Sequence, residues 1–146
     1  MLKRYTFWLT AAVLFQLLTA AIHAISLFMR PSPAGEAERQ MMELVFTLRL
    51  DAGSGFRPTL WNMFTAVSAC LSLLCFLGGS INGWLLYKHA EPDVMKGILG
   101  INVAVFGLCF LVMIFFTFLP PILLSGLIFI NLLAAFIVLP KIEVTI

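Results

Sequence analysis

The stretch FTAVSACLSLLCFLGGSINGWLL, residues 64–86, decides the fold of this chain. It holds no Lys, Arg, Asp or Glu. A helix of that length, rising about 1.5 Å per residue, crosses the roughly 30 Å hydrocarbon core of a bilayer. Working outward, three more uncharged apolar runs occupy 5–29, 98–118 and 122–139. Together the four fill most of the 146 residues, and lipid replaces water as the solvent for most of the side chains.

Composition agrees. Hydrophobic residues make up 62% and charged residues 11%, against roughly 45–50% and 25% in soluble domains. Residues 1–146 are therefore expected to form a single four-span transmembrane domain with no soluble catalytic module. The expected fold is all-α, an integral membrane antiparallel four-helix bundle. A formal charge of +2 without a basic cluster argues against nucleic acid as a partner. Cys70, Cys75 and Cys109 all fall within spans. Cys70 and Cys75 point roughly 140° apart on a helix at about 100° per residue, so they read as small packing residues rather than a redox pair or a zinc site.

Lys3 and Arg4 ahead of the first run resemble a secretory leader. The run continues to Met29, however, past the roughly 7–15 apolar residues of a leader, so span 1 is expected to be retained. Orientation follows the basic residues. Lys3, Arg4, Lys88, Lys96 and Lys141 fall on one side, and Arg30, Arg39, Arg49 and Arg57 all fall in the long first loop. Long loops weigh less. Both termini are therefore expected in the cytoplasm of a bacterial cell with the chain in its inner membrane.

The first loop carries its own pattern. Pro31 and Pro33 stop span 1, and Gly35-Glu-Ala-Glu38 opens a helix with acids where the helix dipole favours them. Met41, Leu44, Val45 and Leu48 recur at helical spacing, which predicts a short amphipathic helix over 36–50 that rests at the interface or caps the bundle. Asp51-Ala-Gly-Ser-Gly55 breaks it. Trp8, Trp61 and Trp84 stand near span ends, as interfacial anchors do.

Within the spans, polar and small residues form stripes. Gln16, Thr19, His23 and Ser26 share one face of span 1, and Thr65, Ser68, Ser72, Cys75, Gly79 and Asn82 share one face of span 2. Gly97, Gly100, Ala104 and Gly107 do the same on span 3. Helices in lipid associate through close packing and interhelical hydrogen bonds, so these faces are expected to meet inside the bundle. Counting depth from a shared membrane face groups Gln16, Ser72 and Asn131 near the midplane, with Asn82 and Asn102 nearer the cytoplasm. It groups His23, Thr65, Ser68 and Ser125 in the outer third, within reach of Asp51 and Arg57 from the loop.

Function classes follow from what the spans hold. His23 lies in the outer third and His89 beyond the other end of span 2, so one iron cannot take both and no cofactor is expected. A proton-coupled exporter needs an intramembrane carboxylate, and the four spans have none. The chain reads as non-enzymatic, binding a lipid, a small apolar ligand or a partner helix. Membrane lipids are its expected partners, beside a second copy or another membrane protein. The alternative is a membrane enzyme or carrier. It would use an outer-face polar site around His23, Asp51 and Arg57, where an imidazole beside a carboxylate handles protons or an anionic headgroup; Ser26, Thr65 and Ser68 beside them are further ligand-binding candidates.

His23-Ala-Ile-Ser26-Leu-Phe28, then Pro33, the acidic helix, Asp51, Arg57-Pro-Thr59, Asn102 and Leu119-Pro120-Pro121 resemble a family of small bacterial four-span proteins. The resemblance implies a four-helix membrane bundle without an assigned activity. It maps any site of that family to His23, Asp51 and Arg57.

Overall fold

A computed structural model describes residues 2–30 and 32–139, without the side chains of 2–4. The Pro31 stop and three residues behind the expected orientation (the Lys3 and Arg4 side chains, and Lys141) lie outside the described residues. The elements run α1 (Leu2–Ser26), α2 (Glu36–Thr47), α3 (Leu60–Tyr87), α4 (Pro92–Phe116) and α5 (Leu119–Val138). Among the described residues there is no strand, and the all-α architecture is the expected one. All but α2 contain a stretch long and apolar enough to cross a membrane.

Two helices, α4 and α5, start ahead of their apolar runs because of proline. Proline lacks the N–H that a helix's first turn leaves unpaired anyway. Thus α4 begins at Pro92, with Asp93 in its first turn at the positive end of the dipole. In α5, Pro120 and Pro121, which lie between the expected spans 98–118 and 122–139, open the helix, and the turn shrinks to Thr117 and Phe118. Two residues leave α4 and α5 to pack as neighbours.

The contacts form two compact units, one of residues up to Thr19 together with those from Cys75 onward, the other Ala20–Leu74. In the first, the start of α1, the end of α3, α4 and α5 make a helical bundle whose core sets buried amides among apolar residues such as Leu9, Leu99, Phe106 and Leu132, and whose outer surface is apolar. Gln16 and Asn82 are 0% exposed, whereas Phe115 is 75% exposed and Phe7 65%. That surface suits a bilayer, which solvates phenyl rings and offers an amide no hydrogen bond, so the amides find their partners inside.

The buried amides connect three helices. Asn82 Nδ2 donates to Gln16 Oε1 at 3.1 Å, and Asn102 Nδ2 donates to Asn82 Oδ1 at 3.4 Å and to its own helix at Ile98 O, 3.0 Å. Asn131 donates within α5, to Leu127 O at 2.7 Å. Depth counting had set Gln16 apart from Asn82. It measures Cα positions, while side chains lean toward their own N-terminus. Gln16 and Asn82 sit on antiparallel helices and lean toward each other.

The polar stripes of α1 and α3 meet as expected, through Gln16–Asn82 and His23–Ser68, but the glycine face of α4 meets no small-residue face. Between α4 and α5 the glycines receive phenyl rings. A Cβ on Gly107 of α4 would lie 2.9 Å from Phe129 of α5, and one on Gly126 of α5 would lie 3.0 Å from Phe110 of α4. The two rings stack at 6.0 Å between centroids. Each helix thus offers one hole and one knob, three residues apart, to the other.

In the second unit the end of α1 packs on the start of α3, where Ser72 Oγ donates to Ala20 O at 2.8 Å. Between them the loop folds α2 and a small hairpin. Leu48 leaves the helix with extended backbone, and Arg49 forms an isolated antiparallel bridge with Thr59, so α2 ends at Thr47 rather than at 50. The hairpin tip takes positive φ at Gly53, Ser54 and Gly55, at 79°, 51° and 83°. That tip is why the glycines stand there. Asp51 Oδ1 accepts Gly53 N at 3.0 Å and shapes the same turn.

Three faces divide α2. Met42, Val45 and Phe46 are half-buried against the unit. Glu36, Arg39, Gln40 and Glu43 form the polar face, with Arg39 and Glu36 paired at 2.8 Å. Met41 and Leu44, followed by Leu48 just past the helix end, form a third, exposed ridge that is wholly apolar.

Candidate ligand site

A cavity of about 590 Å³ lies within the second unit, lined by Ser26, Leu27, Met29, Arg30, Ser32, Trp61, Phe64, Thr65 and Ser68. That volume is in the range of small-molecule sites. Its α3 wall is one helix face, since Trp61, Phe64, Thr65 and Ser68 recur at spacings of three, one and three. Its other wall is the unwinding end of α1, where Leu27, Phe28 and Met29 make short-range turn bonds back to Ala24, Ile25 and Ser26. The chain thereby turns out of its helix and presents Leu27, Met29 and Arg30 to α3.

Polar groups at the cavity are held from behind. His23 Nδ1 lies 3.0 Å from Ser68 Oγ, a part-buried pair between α1 and α3 that fixes the Ser68 hydroxyl. Ser26 Oγ donates to His23 O at 2.7 Å. The Arg30 guanidinium lies over the Phe46 ring, 5.3 Å from its centroid. Phe46 packs on Trp61 at 4.7 Å between ring centroids. Helix α2 therefore braces both the cation and the indole of the cavity.

Of the six candidate residues, Ser26, Thr65 and Ser68 line the cavity, and His23 holds Ser68 from the second layer. Asp51 and Arg57 are exposed and bonded within the hairpin. Asp51 takes the Gly53 amide, and Arg57 O accepts from Arg49 Nη1 at 3.5 Å. Neither lines the cavity. Sequence reasoning missed Leu27, Met29, Arg30, Ser32 and Phe64 and took Trp61 for an interfacial anchor. The signal was available in the shared face of 61, 64, 65 and 68. Among the described residues, no group of three or more His, Cys, Asp or Glu side chains could hold a metal ion.

No protein-family model, curated protein or solved structure matches the chain, so neither the resemblance drawn from its motifs nor any relative brings a function to the site.

Proposed function

We propose that this multi-pass membrane protein is non-enzymatic and holds a lipid-like amphiphile in the cavity between the end of α1 and the start of α3. The observation that carries the reading is the composition of the lining. Leu27, Met29, Trp61 and Phe64 supply an apolar wall, and Arg30 with four hydroxyl side chains supplies a polar rim. An alkyl chain satisfies the first, and a headgroup the second. Ser68 and His23 pair at 3.0 Å, but among the described residues no carboxylate lines the cavity to orient the imidazole in the manner of a hydrolase. In this reading the loop, and with it the cavity, faces outward from a bacterial inner membrane, an orientation that the Lys/Arg distribution of the sequence favours.

Native mass spectrometry of the protein extracted in a mild detergent tests the reading. Wild type carries one amphiphile per chain, retained from the membrane or regained on lipid titration. Thr65→Trp, which fills the cavity, loses it while the helical circular dichroism is unchanged. A wild-type spectrum without adduct after titration, or one with a second polypeptide in its place, overturns the proposal.

A further inference from the structure

We infer that the ligand is an anionic amphiphile whose head is gripped by Arg30; the inference rests on the cavity being an amphiphile site and adds the charge and the residue that reads it. Arg30 lines the cavity. Among the described residues its guanidinium has no hydrogen bond and no ion pair, only the Phe46 ring beneath it at 5.3 Å. The loop carboxylates nearest in sequence are engaged elsewhere. Glu36 pairs with Arg39 at 2.8 Å, and Glu38 Oε2 accepts the Ala34 amide at 2.6 Å. A contact with a ring face uses none of the guanidinium's N–H donors, and its planar fork can take a carboxylate or phosphate in two parallel bonds. Ser32 and Thr65 line the same cavity and donate no hydrogen bond of their own among the described residues, so two hydroxyl donors stand beside the cation. Every polar side chain of the lining is a cation or a hydroxyl, and none is a carboxylate. The rim is complementary to an oxyanion, and the wall of Leu27, Met29, Trp61 and Phe64 to the chain that bears it.

The oxyanion has two natural sources, a free fatty acid and an anionic phospholipid, and the test separates them. The full-length protein in neutral detergent is titrated with oleate, with phosphatidylglycerol and with monoolein, an uncharged lipid bearing the same acyl chain as oleate. Binding is read by Trp fluorescence and native mass spectrometry. Charge-assisted bonds of about 1.5–3 kcal/mol correspond to a preference of about tenfold to a hundredfold for an anion over monoolein. Preference for oleate alone assigns the carboxylate, and preference for phosphatidylglycerol alone assigns the phosphate. Arg30→Gln brings the anion to within about twofold of monoolein and leaves monoolein binding unchanged, while Arg30→Lys keeps part of the preference. Phe46→Leu, which removes the ring under the guanidinium, weakens the preference without abolishing it. A wild type that binds monoolein and anions equally, or an Arg30→Gln that keeps its preference, overturns the inference and leaves the amphiphile site standing. A wild type that binds none of the three overturns both.

Discussion

Asn82 Nδ2 donates to Gln16 Oε1 across 3.1 Å, joining residues 66 positions apart on α3 and α1. The bond is asymmetric in what it leaves behind. Asn82 both donates and accepts, since Asn102 donates to its Oδ1. Gln16 Nε2 is buried without a partner among the described residues. An unpaired buried donor costs free energy that its removal restores. Asn82→Leu is therefore expected to destabilise the detergent-solubilised protein by about 1 kcal/mol, in line with interhelical bonds in membranes. Gln16→Leu should cost less. Thermal unfolding followed by circular dichroism compares them, and a larger loss for Gln16→Leu would reverse the assignment.

The α4–α5 clasp yields a second expectation. A methyl on Gly107 would meet Phe129 at 2.9 Å, whereas one on Gly97 meets nothing within 4 Å. Gly107→Ala should lower stability by about 1–3 kcal/mol through overpacking. Gly97→Ala should be neutral or raise it by up to about 1 kcal/mol, as Gly→Ala does in a helix. Combining Gly107→Ala with Phe129→Leu should recover part of the loss. Equal effects at the two glycines would mean that the ring does not occupy the hole.

Much of this architecture was legible because lipid imposes a length and a charge rule that composition alone reveals. The apolar runs and the buried Gln and Asn stripe follow from that rule, and the short loop helix from its helical spacing and first-turn acids. What escaped has physical causes. Pro120 and Pro121 read as a turn although the first turn of a helix tolerates them, and Asn82 was placed by Cα depth although its side chain leans along the helix. The cavity was half visible. Ser26, Thr65 and Ser68 were picked out for their polarity, while Arg30 and Phe64 were not, because a binding site needs its apolar wall and its cation as much as its hydroxyls. Asp51 was grouped with His23 by loop proximity, yet its carboxylate shapes the hairpin turn at Gly53.

His23 acts on the cavity through Ser68, at 3.0 Å. His23→Ala is expected to leave the fold intact and weaken amphiphile binding several-fold by freeing that hydroxyl. His23→Gln, which keeps a polar group able to pair with Ser68, should restore most of it. Isothermal titration with the same amphiphile compares the two. If Gln fails as completely as Ala, the imidazole itself does the chemistry, and the carrier or enzyme reading gains the site.

The exposed ridge of Met41 and Leu44, continued by Leu48, belongs to a helix tethered at both ends to membrane spans. It is expected to rest in the headgroup boundary with Gln40 and Glu43 toward water. A spin label at Leu44 should be accessible to oxygen and shielded from a polar nickel chelate, and one at Gln40 should show the reverse. Equal accessibility at the two positions would place α2 away from the lipid.

Immersion itself is tested most directly by counting crossings in closed vesicles. Single cysteines at Ser54, His89 and Thr117, with Cys70, Cys75 and Cys109 replaced, are exposed to a membrane-impermeant maleimide. The account predicts that Ser54→Cys and Thr117→Cys are labelled from one side, and His89→Cys from the other. Labelling of all three from the same side would contradict it.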